Sequence, residues 1–528
     1  MVSPRNASAR TRVTLAIALL GAGGLHSARA FAQDGPPSEE PPPEEDEEII
    51  LDPELEDVDP PPPEATEPAP APDATQVFLE LRSRLGVETS WRNDREEVLE
   101  APQLAALEIR HRLSDVTRVA AGIRLRYTFA SRRGFEGGQD DFRHALELEP
   151  TAGYVDWTPM PALRARIGYQ ILHLGRFEMF SASDVLAVRD FRGGPAAPAS
   201  STDVATPAAR LDWDPASWLR LTAAYVPWFE PHRFDPIGTD YALLKLQGSR
   251  DGDALMAALE SLVDRSFVPG YAAHTLRIFG PDPSFADPQA ALRAVAHGTA
   301  GEVGMTLATA FDRVGAIGFS RAMERFMQGD IGLEELAADA ADTAPVRVRY
   351  PRFWVAGVDG ATDAGPVQLG AEVAYMADRV LYSARTGTFP RPELQDVVHV
   401  GLRGELARGL GQFVAIETFT QYAVDAPDDP DRAWFTLAGE RFAWGVALVG
   451  EWALTPQWSI GGRALLFQGP SFVAVPRIQW SPDPAWFVEL GALLVEGPSP
   501  APLGSPDTAV GSIYDGVDQV FVGFGYRR

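Results

Sequence analysis

Four short stretches of this chain carry arginine at alternate positions: Arg82 and Arg84, Arg110 and Arg112, Arg124 and Arg126, Arg164 and Arg166. An arginine keeps its charge in a protein, and its planar fork suits carboxylate and phosphate partners. Spacing of two along a strand puts both members on one face. If the four strands are neighbours, the guanidiniums form a ladder on one wall of a lumen, and such walls favour anion passage. Glu80, Glu88 and Glu108 share that face. The competing outcome is that acids and arginines pair across strands, bracing the wall and selecting nothing. A second group, Asp184, Arg189, Asp190 and Arg192, lies in the charged and aromatic stretch Leu174–Thr206. Folded inward, it would face the arginines as a constriction; as a surface loop it would do neither.

Signals for catalysis are poor. None of the eight histidines falls in an HExxH or other spaced metal pair, and there is no GxSxG motif or phosphate loop. The absence of cysteine excludes disulfides and thiolate metal sites. The expectation is no catalytic residue, no metal, no cofactor and no nucleic-acid partner. A lipid-modifying enzyme would need a Ser–His pair meeting on a lipid-facing wall.

The arginines require strands to position them, and the alternation supplies these. Val77, Leu79, Leu81, Leu85 and Val87 share one face, with Glu80, Arg82, Arg84 and Glu88 on the other. Val119, Ala121, Ile123, Leu125, Tyr127 and Phe129 likewise oppose Gly122, Arg124 and Arg126. Period-2 alternation of this kind marks strands with one apolar and one wet face. In a barrel the wet face lines the lumen; in a soluble sandwich it would meet bulk water. A phrase of aromatic strand end, proline turn and aromatic strand start recurs, clearest in Arg477–Leu494 and Leu211–Tyr225. Seven of the twelve tryptophans, Trp157, Trp213, Trp218, Trp452, Trp458, Trp480 and Trp486, flank these turns. Trp at one set of strand ends is the pattern of a membrane barrel's aromatic girdle, where it would contact outer-membrane lipid.

Residues 1–32 read as a signal peptide: Arg5, Arg10 and Arg12, then apolar Val13–Leu25, then small residues before a cut after Ala32. Residues 33–74 carry sixteen acidic residues among many prolines and no lysine or arginine. That composition predicts a disordered, self-repelling periplasmic linker. It also accounts for much of the formal charge of −27. A mean hydropathy of −0.11 is too low for a helical membrane protein, whereas a barrel hides its lipid face in every second residue.

Residues 75–528 then alternate short connections with long ones, as outer-membrane barrels do with periplasmic turns and outer loops. The expected architecture is all-β, a transmembrane antiparallel barrel of about 18 strands, with 16 as the alternative. A helical outer-loop or plug insertion is expected at 229–298, with helices at Asp253–Asp264 and Pro288–Ala296. A smaller helical loop is expected at 325–345, with a helix at Leu333–Ala341. Gly301–Ala310 and Val314–Glu324 are expected to form a hairpin turning at Phe311–Arg313. Val520, Val522, Phe524 and Tyr526 share a face of the last strand, which fits a signal for the barrel-assembly machinery; Arg527 and Arg528 follow where the usual pattern ends on the aromatic.

Tyr154-Val155-Asp156, Arg164–Gln170, Ser183–Leu186, Asp190-Phe191-Arg192 and Pro227–Pro231 with Arg233 together resemble a pattern of proteobacterial outer-membrane porin-like barrels. In this chain Gly168-Tyr169-Gln170 stands where that pattern more commonly has Gly-Arg-Gln, so one wall charge is missing. The resemblance implies an outer-membrane barrel that passes small hydrophilic solutes, and it implies no particular substrate. A barrel serving only as a surface or structural protein is the alternative, and the patterns leave open whether the chain forms a homo-oligomer.

Overall fold

The computed structural model describes residues 12–15, 75–89, 99–132, 141–177, 179–194, 197, 202–233, 244–247, 276–279, 288–313, 315–327, 330–340, 346–385, 391–407, 412–424, 426, 432–434, 441–468, 471–497 and 518–528. The signal peptide, apart from 12–15, and the acidic linker lie outside these residues, as does the helix expected at Asp253–Asp264.

Eighteen antiparallel strands close into one barrel. They are β1 (Thr75–Glu88), β2 (Leu99–Arg112), β3 (Thr117–Arg132), β4 (Asp141–Met160), β5 (Leu163–Gln170) and β6 (Thr206–Ala216). Then come β7 (Leu219–Val226), β8 (Gln289–Gly298), β9 (Gly301–Phe311), β10 (Arg352–Ala364), β11 (Val367–Arg385) and β12 (Arg391–Ala407). The last six are β13 (Phe413–Ala423), β14 (Phe442–Ala453), β15 (Trp458–Phe467), β16 (Ser471–Trp480), β17 (Trp486–Glu496) and β18 (Gln519–Arg527). Each pairs with its sequence neighbours, and β1 closes the ring on β18, with Leu85 opposite Val522. Closure leaves no unpaired strand edge.

The alternation read from the sequence is realised. Val77, Leu85, Ile123, Ile167, Leu292, Val358 and Val522 are exposed on the outer face. Arg84, Arg124, Glu149, Asp359, Glu372 and Glu417 are buried on the inner one. An apolar outer belt around a barrel with a charged interior is the inverse of a soluble protein, and lipid is the environment that matches it. The flanking tryptophans stand at the short-turn end, where Trp458 and Trp480 lie 6.3 Å apart and Trp486 lies 4.5 Å from Tyr526.

Three expectations need correction. Pro288–Ala296 is no helix: Gln289–Gly298 is β8, paired to β7 and β9. Gln289 and Ala291 are buried and alternate with Ala290 and Leu292, a strand signal that the alanines, good helix formers, mask. The long connection after β7 therefore ends at Pro288, and a two-residue turn at 299–300 joins β8 to β9. The hairpin partner of β9 is also different. Of the expected partner Val314–Glu324, the described residues 315–324 do not return along the barrel; β10 does, with Leu307 opposite Ala356. Ala316–Phe319 instead pairs with Val346–Arg349 in a small separate sheet. Two short helices follow Ala316–Phe319, α1 (Arg321–Met327) and α2 (Leu333–Ala340). The latter matches the helix expected from the sequence, and the former begins before the expected loop.

Candidate functional site: the crossed lumen

Between β5 and β6 the described residues, 171–177, 179–194, 197 and 202–205, turn into the barrel. Leu172, Phe177, Met179, Phe180, Leu186 and Phe191 are buried there. On one side its acids and arginines meet β3 and β4. Arg126 donates to Asp190 at 2.5 Å, Arg192 donates to Asp190 at 2.6 Å and to Glu147 at 2.7 Å, and Arg124 donates to the Asp203 carbonyl at 2.8 Å. Asp190 is buried, which alone would raise its pKa. The Arg192 and Arg126 guanidiniums outweigh this and hold it down at about 2.

On the far side the loop's backbone is held by wall carboxylates. The Met179 N–H donates to Glu417 on β13 at 2.7 Å. The Ala182 and Ser183 N–H groups donate to Glu372 on β11 at 2.6 and 3.1 Å. Arg176 reaches Glu302 on β9 and Asp359 on β10. Phe180 lies 4.4 Å from the Phe419 ring and 6.2 Å from that of Phe467. Phe419 in turn needs Gly445 beneath it, where an added Cβ would fall 2.3 Å from the ring. Arg463 on β15 donates to the Ala197 carbonyl at 3.0 Å. These partners stand on strands all around the ring; Asp359, Glu417 and Arg463 lie near the middle of theirs, and Glu372 is level with Asp359 on the neighbouring strand. The loop thus crosses the lumen at mid-height.

Within the loop, Asp184 is a hub. It accepts from Arg189 at 3.0 Å and from the Leu174 N–H at 3.1 Å, and His173 sits 3.2 Å away. Burial alone would lower the His173 pKa; Asp184 and Asp203 overcome that and raise it to about 10. Burial also pushes the His232 imidazole well below its ordinary value, reinforced by Arg313, Arg189 and Arg379.

All four loop residues singled out from the sequence are therefore inside the barrel, but they divide. Asp190 and Arg192 meet the charged wall, whereas Asp184 and Arg189 pair with each other. The wall arginines are largely spent on acids. Arg82 bonds Glu80 at 2.7 Å, Arg84 lies 3.6 Å from Glu100, and Arg110 bonds Glu108 at 2.6 Å. Arg124 bonds Glu149 at 2.6 Å, and Arg164 and Arg166 share Asp156 at 2.8 and 2.9 Å. Arg112 stands at the turn end of β2, opposite Arg118.

The opposite wall was not anticipated. Leu465, Phe467, Val473, Val475, Leu493, Val495 and Phe521 point inward and are buried with Met179, Phe180 and Phe191. Glu372, Glu417 and Arg463 were missed as well; each stands at an inward position of an alternating strand, which is the signal that could have found them. Below the loop the wall is wet: the side chains of Arg164 and Arg220 are 48% and 55% exposed.

No family model matches the chain, and no curated protein does. Among solved structures it is similar to OccK7 of Pseudomonas aeruginosa, at 10% identity and TM-score 0.43 over 86% of this chain and 98% of that one. OccAB4 of Acinetobacter baumannii is 7% identical, at TM-score 0.42 over 86% and 98%. Salmonella typhi OmpF in complex with daunomycin is 9% identical, at TM-score 0.38 over 86% and 97%. These are likenesses of barrel shape, and the function must be argued from this chain's own lumen.

Proposed function

We propose that the chain is an outer-membrane channel for passive diffusion of small hydrophilic solutes, narrowed by residues 171–205. The observation that carries this reading is the loop that crosses the lumen above a water-facing charged wall. A barrel built only as a surface scaffold has no use for exposed ionic groups such as Arg164, Arg220 and Asp214 on its inner face. Because Arg82, Arg110, Arg124 and Arg164 are matched to acids, the wall gives little preference for anions over cations. The tryptophans at the turn end would anchor in the headgroup region of the periplasmic leaflet. Val520, Val522 and Phe524, exposed on β18, would serve assembly of the barrel in the membrane.

Planar-bilayer recording tests the reading. The full chain should give small, discrete conductance steps, and the Phe180→Ala variant should give larger ones, because that ring helps hold the loop in place. Silence from both proteins would overturn the channel and favour the scaffold.

A further inference from the structure

A row of charges runs across the wall below the loop. Cross-strand register places Arg118 on β3 beside Asp156 on β4, Asp156 beside Arg166 on β5, and Arg166 beside Arg210 on β6. Arg118 is the second residue of β3, next to the short turn, whereas Arg210 lies six residues before the turn end of β6. The row therefore starts at the barrel's mouth and climbs into the lumen, as the tilt of barrel strands requires.

Its charges are unevenly matched. Arg166 and Arg164 share the one carboxylate of Asp156, at 2.9 and 2.8 Å. Arg210 donates to Asp212 at 2.9 Å, and the Thr222 hydroxyl takes a further place on that carboxylate at 2.8 Å. Arg118 makes no ion pair among the described residues. Four arginines thus face two carboxylates. The flanking charges do not correct this. Arg112 opposite Arg118 and Asp115 in the turn are one of each sign, and Arg110 and Arg220 bond Glu108 and Asp214. Like charges directly opposite one another, as Arg166 and Arg210 are, destabilise a strand pair. A negative group laid over them would relieve that. Arg118 and Arg164 are exposed and Arg166 and Arg210 partly so, which leaves the row open to one.

The chain carries such a group at the same end of the barrel. Thr75 opens β1 at the short-turn end, paired with His111 and bonded to its ring at 2.8 Å. The acidic stretch 33–74 therefore joins the barrel one strand away from Arg118. Its last acids are Glu64, Glu67 and Asp73, with prolines at 68, 70 and 72 and no lysine or arginine. At the ~3.1 Å per residue of a proline-rich segment, the chain from Glu64 to Thr75 reaches about 34 Å. The five strand spacings from β1 to β6 total about 24 Å at ~4.8 Å each. Tethering also gives these acids an effective concentration in the millimolar range, an advantage that no free anion shares.

We propose that the acidic linker docks on this row, with Glu64, Glu67 and Asp73 lying along Arg118, Arg166 and Arg210. The linker then supplies the counter-charge that the wall lacks. The proposal does not depend on whether the lumen conducts, so it is tested by distance rather than by current.

The chain has no cysteine, so two spin labels can be placed uniquely, at Thr66→Cys and Ser114→Cys. Their separation is measured by pulsed electron paramagnetic resonance on the full mature chain in neutral detergent. At ~0.01 M salt, where the Debye length is about 30 Å, the wild type should give one narrow distance distribution. Arg118→Glu removes the row's excess of two positive charges and should at least double the width. Sodium chloride at ~1 M, with a Debye length of about 3 Å, should broaden the wild type in the same way. Arg325→Gln on α1, outside the barrel strands, should leave the distribution narrow. If Arg118→Glu fails to fold, the linker variant Glu64→Gln with Glu67→Gln and Asp73→Asn takes its place, and it should broaden equally. A wild-type distribution as broad as the variants' at low salt would leave the row to some other anion and overturn the proposal. A distribution that stays narrow when either set of charges is removed would overturn it as well.

Discussion

The two sides of the lumen solve one problem with different chemistry. On β1 to β6 the inner face is a ladder of arginines and acids; on β13 to β18 its loop-side half is apolar, with Leu493, Val495 and Phe521 buried. Both sides share the same apolar outer face. Lipid therefore dictates one residue in two throughout, and the inner position is free to be ionic or greasy. The loop 171–205 is built to match, with Asp190 and Arg192 on the charged side and Met179 and Phe180 on the apolar side. Energetically the two attachments are unequal. A buried ion pair roughly breaks even against its desolvation, while burying a large apolar side chain gains about 1.5–3 kcal/mol. The apolar wall should hold the loop, and the ionic wall should set where it sits.

That inequality is most easily broken at Phe180. Phe180→Ala should cost about 3–5 kcal/mol of loop docking, the usual range for a buried phenylalanine. Limited proteolysis of the loop in detergent-solubilised protein should show it, with cleavage appearing in the variant alone. Arg126→Gln comes next. It removes one of the arginines bound to Asp190, but Arg192 remains, so the loss should be about 1–3 kcal/mol, that of a weakened buried hydrogen bond to a charge. The double variant adds a sharper test. If both contacts fasten one rigid loop, their costs will not add, and a coupling above ~0.5 kcal/mol is expected. Strict additivity would mean the loop docks in two independent halves.

The barrel was legible in the sequence because period-2 alternation states the lipid face directly, as in Val119 to Phe129 against Arg124 and Arg126. The eighteen-strand ring follows from it, although β8 was hidden by alanines that suit a helix equally well. The charged half of the site was also legible, since arginine and aspartate at alternate positions stand out. The apolar half was not. Leu493 and Val495 sit between outward Leu494 and Ala492, so the run reads as continuously apolar and gives no period. Nothing local says that a loop some three hundred residues earlier will cover them.

A smaller effect separates the two ends of the loop by pH. The Asp190 pKa is depressed to about 2 in the docked state, against ~3.9 when free. Its contribution is therefore complete above about pH 4 and is lost as pH falls through 2. His173 runs the other way: its pKa rises to about 10, from ~6.5 when free. Its contribution is complete below about pH 6.5 and is lost as pH rises through 10. Loop protection should weaken at either extreme of pH. His173→Gln should abolish only the alkaline limb, which makes the assignment checkable by proteolysis across pH.

The smallest expected effect concerns the charged wall, and it asks whether an arginine there acts as a charge or as half of a pair. Arg82 bonds Glu80 at 2.7 Å and stacks over Phe487 at 5.1 Å. A pair this close is nearly neutral beyond the Debye length of roughly 8 Å at physiological ionic strength. Replacing both members, Glu80→Gln with Arg82→Gln, should leave the reversal potential in a salt gradient unchanged. Arg82→Gln alone removes one positive charge beside Glu80, so it should shift permeability slightly toward cations, most visibly at low salt. If instead the double variant loses anion preference as much as the single one, Arg82 projects its charge into the lumen despite its partner. The ionic wall would then be a selectivity element, and the contrast with the apolar wall would lie in function as well as in the way each holds the loop.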